Sequence, residues 1–131
     1  MINIFNELFT LLDASLTALE MDIETSSVYT NMPSHYPFVS LEEIDNRVYE
    51  ETSNCNVENH AEVDYEVNIY TQEPNKKTNA DKIAEAVDTL FASLGFVRQT
   101  KNSMQSSDET TYRIIIRYIG IVSQNHKIYR R

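Results

Sequence analysis

With 131 residues, and at roughly 100–200 residues per domain, the chain has room for one domain with a core of its own. Hydrophobic residues at 41% and charged residues at 24% are the ordinary globular mix, which excludes a disordered, collagenous or fibrous chain. Eleven Lys and Arg against twenty Asp and Glu give a formal net charge of −9, so neither a general affinity for nucleic acid nor binding to an anionic membrane is expected.

Ile4, Phe5, Leu8, Leu11, Leu12, Leu16 and Leu19 recur at steps of three and four, which predicts an amphipathic helix over 2–20 that packs one broad face on something else. The same stretch has no basic leader and is interrupted by Asn6, Glu7 and Asp13, so neither a signal peptide nor a membrane span is expected there. A polar stretch over 22–27 leads into a β-prone segment at 27–30. The prolines at 33 and 37 withhold amide donors and predict an irregular loop. Residues 38–41 and 47–50 read as two short strands joined by an acidic turn over 42–46, followed by a polar connection over 55–59.

Ala61, Val63, Tyr65, Val67 and Ile69 then alternate strictly with Glu62, Asp64, Glu66 and Asn68. Period two predicts a strand with one face buried and the other carrying a stripe of carboxylates, as in a sheet covered on one side. The cover is a second helix with Ile83, Ala84, Val87, Leu90, Phe91 and Leu94 on its apolar face, Thr78 or Asn79 as its cap and Gly95 at its C-terminal turn. Residues 96–102 and 111–122 read as a hairpin around a polar loop at 103–109. In its second strand Tyr112, Ile114, Ile116 and Tyr118 share one face, and Arg113, Ile115, Arg117 and Ile119 share the other. Isoleucines interleaved with arginines away from the core lie either under a loop or in a protein–protein contact. The expected fold is therefore α+β, an antiparallel or mixed β-sheet covered on one face by two helices. Its element order is α-β-β-β-β-α-β-β, in a single domain over 1–122 with a short basic tail over 123–131.

The charge is unevenly spread. Before Gly95 there are 18 acids and 4 bases, after it 2 acids and 7 bases, giving −14 and +5. Either the two parts neutralise each other within one sheet, or a basic surface of one copy meets an acidic surface of the next, head to tail.

Motifs for chemistry are sparse. Cys55 is the single cysteine, which permits neither an intrachain disulfide nor a Cys-rich zinc site, fits a cytosolic chain, and has no neighbouring base to activate it. His35, His60 and His126 are scattered without metal-ligand spacing. Gly95 and Gly120 are the two glycines, too few for a phosphate loop or dinucleotide fingerprint, so no cofactor is expected. Glu62, Asp64 and Glu66 could do acid–base work, but neighbours on one exposed strand face read first as a solvated stripe. The tyrosines alternate with charged residues as core positions do, which favours packing over a stacking platform for single strands. An assembly protein therefore fits better than an enzyme.

The element order, the run Tyr36-Pro37-Phe38-Val39, His60 opening the alternating strand Val63-Tyr65-Val67-Ile69, and Ile83-Ala84-Glu85-Ala86-Val87 followed by Leu90 resemble the tail terminator or tail completion proteins of long-tailed bacteriophages. These are also described as minor capsid or head–tail joining proteins. The resemblance covers about residues 2–122 and implies a homo-oligomeric ring in the virion, typically hexameric and assembled in the host cytoplasm. Such a ring caps the tail tube, ends its polymerisation and joins the head connector, without catalysis. Its partners would be further copies of itself, the tail tube protein, and the connector or head-completion protein. DNA would merely pass through the lumen, and no membrane is involved. On this reading Arg113, Ile115, Arg117 and Ile119 are the candidate oligomer interface, and Glu62, Asp64 and Glu66 are candidates for an acidic lumen lining. The sequence departs from the family in lacking Trp and in having few glycines, which leaves the role of residues 71–77 open. Another neck or tail component is the alternative, and a small ligand-binding or enzyme domain a more distant one.

Overall fold

Alternation in the middle of the chain builds the centre of the molecule. The computed structural model describes residues 2–28, 33, 35–48, 60–72, 75–105, 111–123 and 128–129. Their order is α1 (Phe5–Thr17), β1 (Glu24–Ser26), β2 (Phe38–Val48), β3 (His60–Gln72), α2 (Lys76–Leu94), β4 (Val97–Gln105), β5 (Thr111–Ser123) and β6 (Ile128–Tyr129). The strands form one mixed sheet in the order β1-β2-β3-β5-β4. β1 runs parallel to β2, and the other pairings are antiparallel. The fold is α+β, as the sequence implies.

β3 and β5 form the long central ladder, from His60 opposite Ser123 to Gln72 opposite Thr111. On the helix-covered face Ala61, Val63, Tyr65, Val67 and Ile69 of β3 meet Ile114, Ile116, Tyr118 and Val122 of β5, all essentially buried. Leu8, Leu12 and Leu16 of α1 and Ala80, Ile83, Ala84, Val87 and Phe91 of α2 complete this core. Each large aliphatic side chain among them gains roughly 1.5–3 kcal/mol on leaving water. An aromatic cluster ties the layers together: Phe91 stacks on Tyr118 with centroids 4.1 Å apart, and Phe96 meets Phe91 at 5.3 Å and Tyr65 at 5.8 Å.

Several elements differ from the sequence reading. The strand expected at 38–41, the acidic turn over 42–46 and the described start of the strand at 47–50 are one strand, β2, with a register shift between Glu43 and Asp45. Ile44 is absorbed as a bulge. Glu43 Oε1 accepts hydrogen bonds from the Tyr65 hydroxyl at 3.0 Å and from Asn46 Nδ2 at 3.2 Å, so the polar run stays in the ladder instead of turning away. A short strand forms at Glu24–Ser26, in the stretch that reads as polar from sequence, where the Glu24 amide donates to the Pro37 carbonyl at 3.0 Å, and residues 27–28 of the expected β-prone segment are not in a strand.

α2 begins before the expected caps. Asn75 takes a left-handed conformation (φ 61°) and its carbonyl accepts from the Asn79 amide at 2.9 Å, which places Thr78 and Asn79 inside the helix. Asn tolerates that conformation better than most residues. Gly95 ends α2 as expected, at φ 103°, with its amide and that of Phe96 returned to the carbonyls of Ala92 and Phe91. β4 and β5 pair as the expected hairpin, but β4 runs on through residues 103–105, which the sequence reading gives to the loop and which pair with Ile114, Arg113 and Tyr112; the rest of that loop, 106–109, lies outside the described residues. Beyond residue 122, Ile128 and Tyr129 pair with Val122 and Ile121, so part of the expected tail joins the sheet as β6. The expected elements at 29–30 and 49–50, the connection over 55–59 with Cys55, and His126 lie outside the described residues.

Candidate functional site

The period-two pattern of β3 forces its alternate side chains onto the face opposite the helices. There the two sets of residues singled out from sequence lie side by side. Asp64 stands opposite Ile119, Glu66 opposite Arg117, and Asn68 opposite Ile115, with Tyr70 opposite Arg113. On the other flank β2 sets Arg47 opposite Glu62, Asp45 opposite Asp64, and Glu42 opposite Glu66. The candidate interface and the candidate lumen lining are thus one continuous surface.

The carboxylates on it do not form the solvated stripe expected from sequence. The Glu62 side chain is 10% exposed, Asp64 22% and Glu66 16%. Arginines from the neighbouring strands reach across to them. Arg47 pairs with Glu62 and with Asp45, and its guanidinium lies 3.5 Å from Asp64. Arg117 Nε donates to Glu66 Oε1 at 3.2 Å. Partial burial works to lower the Arg47 pKa, but hydrogen bonds to Glu62 and Asp45 and the charge of Asp64 outweigh it, so the guanidinium holds its proton more firmly than usual. Arg113 donates from Nη2 to Asn68 Oδ1 at 2.7 Å and lies 5.3 Å from the centre of the Tyr70 ring, a cation–π distance. Arg117 therefore finds its carboxylate within its own sheet, and Arg98 finds one on α2, Asp88 at 3.4 Å. For these two arginines the uneven charge along the chain is settled inside the fold.

Beside this ladder Val97, Thr100 and Asn102 of β4, Ile115, Ile119 and Arg117 of β5, and Glu66 line an open groove of about 790 Å³. A register shift between Arg98 and Thr100 bends β4 at its rim. Ile119 and Ile121 are buried although they point away from the helices, and Ile115 is half-buried. An apolar floor with charged walls suits a polypeptide surface, while the nearest carboxylates are already taken up by guanidinium groups. Among the described residues no group of three or more His, Cys, Asp or Glu is placed to hold a metal ion, and no helix is long and apolar enough to cross a membrane.

Sequence reasoning missed Arg47 and Asn68. The sequence pattern puts Arg47 in a separate short strand, whereas one strand through the bulge, 38–48, sets it opposite Glu62. Asn68 shows no signal beyond its place in the alternation, yet it is buried between Arg113 and Glu66. Comparison with protein-family models gives no match, and comparison with curated proteins gives no significant one.

Proposed function

We propose that the chain is a structural assembly protein of a long-tailed phage, forming a homo-oligomeric ring that caps the tail tube, ends its polymerisation and presents the surface that joins the head. The observation that carries this reading is the sheet face turned away from the helices, where isoleucines and an arginine–carboxylate ladder line an open groove. Such a surface has the apolar centre and polar rim of a protein contact. The resemblance in element order supplies the particular assembly. Glu62, Asp64 and Glu66 share their face with Arg113, Ile115, Arg117 and Ile119, so the two sets act together. Arg117 on Glu66 and Arg47 beside Glu62 and Asp64 offset the carboxylates, which favours contact with the tube or connector over a bare acidic lining for DNA.

Light scattering over a range of protein and salt concentrations, with negative-stain imaging, tests the reading. Rings that bind the ends of assembled tail tubes are expected. Rings that ignore tube ends would point to another neck or tail component, and a chain that neither assembles nor binds a tube end would overturn the proposal.

A further inference from the structure

The sheet ends in two unlike edges. β4 forms one of them: among the described residues no strand pairs its outer side, and Arg98 to Met104 are exposed without a break. This edge carries Arg98 and Lys101 and no acid; Arg98 reaches Asp88 of α2, and among the described residues Lys101 makes no ion pair. At the opposite edge β1 covers just Phe38 to Ser40 of β2. From Leu41 to Val48 the outer side of β2 again meets no described strand, and this stretch carries Glu42, Glu43 and Asp45 with one base, Arg47, so its net charge is negative. Its end is blunted where Asp45 Oδ1 accepts from the Asn46 amide at 2.9 Å. Each edge also exposes one large apolar side chain, Ile44 at 43% on β2 and Met104 at 45% on β4.

We infer that these edges join copies of the chain head to tail, with β4 of one copy adding to the open stretch of β2 in the next, beside the β1 stub. The inference rests on the self-assembly proposed above and names the contact that would make it. Length agrees: β2 has eleven residues, three of them under β1, which leaves eight for the nine of β4. Direction agrees as well. β2 and β5 run one way, and β3 and β4 the other, so copies set side by side in the same orientation bring β4 antiparallel to β2. Charge favours the mixed pair over the two-fold alternatives. Pairing β4 with β4 brings Arg98 and Lys101 of two copies together, and pairing β2 with β2 brings together two stretches that each hold three acids and one base, whereas the mixed pair sets opposite net signs across the seam. A contact between unlike edges repeats from copy to copy, giving a ring where the rotation closes. It also leaves the open sheet face clear for another protein.

A charge swap tests this directly. Glu42 already faces Glu66 across the ladder, so Glu42→Lys suits the monomer while placing a cation on the acidic edge. Lys101→Glu and Glu42→Lys should each weaken self-association by roughly tenfold or more, and the double variant should restore it. Circular dichroism and thermal unfolding confirm that each variant is folded. Assembly that persists unchanged in both folded single variants overturns the edge pairing and leaves the ring standing on some other contact. A wild-type chain that stays monomeric up to its solubility limit overturns the pairing together with the self-assembly beneath it.

Discussion

Gly120 has no room for a side chain. A Cβ built there would lie 2.7 Å from two atoms of the Phe96 ring, and that ring is wedged between Phe91 and Tyr65. Gly120→Ala should therefore cost about 1–3 kcal/mol, read as a lowered urea midpoint with an unchanged slope. Two tyrosines act at the same scale. Tyr65 and Tyr118 are buried, and each donates its hydroxyl proton to a carboxylate, Glu43 and Asp88 respectively. Burial, first of all, and the neighbouring negative charge push both phenols well above their ordinary range. In the unfolded chain they ionise near pH ~10. Their contribution is intact below that pH and is lost above it, because the unfolded chain then releases protons that the folded one keeps. Stability should fall by about 1.4 kcal/mol per pH unit for each tyrosine. Alkaline unfolding of the Tyr65→Phe, Tyr118→Phe chain should be correspondingly less steep.

At the scale of elements, the ladder beside Arg47 gathers three carboxylates around one guanidinium. Arg47 is itself partly exposed, which reduces the worth of each pair, but Glu62 is nearly covered and would keep a buried charge. Arg47→Ala should destabilise by about 1–2 kcal/mol, less at high salt, as measured by denaturant unfolding. How far the sequence reveals these elements depends on the range of the forces that set them. β3, both helices and the hairpin follow from periodicity and from Gly95, which are local signals. The bulge at Ile44 is not local: Glu43 stays in the ladder because Tyr65, in another strand, donates to it, and so an acidic stretch that looks like a turn is none. The start of α2 depends on the left-handed backbone of Asn75, which leaves no trace in a cap pattern. On the open face, the alternation gives which residues share a side, but not that Arg47 and Arg117 close over the carboxylates. That depends on strand order and register, which separate Glu66 from Arg117 along the chain while making them neighbours in space.

For the whole molecule, the distinction between the sheet's face and its edges organises what should be measured. Arg117 is paired with Glu66 and Arg113 with Asn68 inside the monomer. Replacing both arginines with Glu should lower the unfolding temperature but, on the proposed edge pairing, leave the mass of any ring unchanged. On the proposed function, binding to tube ends should fall in the same variant, whose altered face is the one proposed to meet that partner. Sedimentation and a tube-binding assay separate the two effects. Attraction between exposed edges is screened over about 8 Å at physiological ionic strength, so rings should loosen as salt is raised.

The central place of β3 has a consequence for how the chain reaches its fold. β3 can pair with β2 soon after the two are made, but its other side waits for β5, which follows only after α2 and β4. During that interval the strand destined for the middle of the sheet is an open edge, apolar on one side and ready to join the same strand of another nascent chain. Glu62, Asp64 and Glu66 then act as gatekeepers, since two such strands laid together would face like charges, Glu66 above all because the Arg117 that pairs with it comes last. Replacing the three with Gln, Asn and Gln should lower the soluble yield on refolding from denaturant, most at high protein concentration, even where the folded variant is stable once formed.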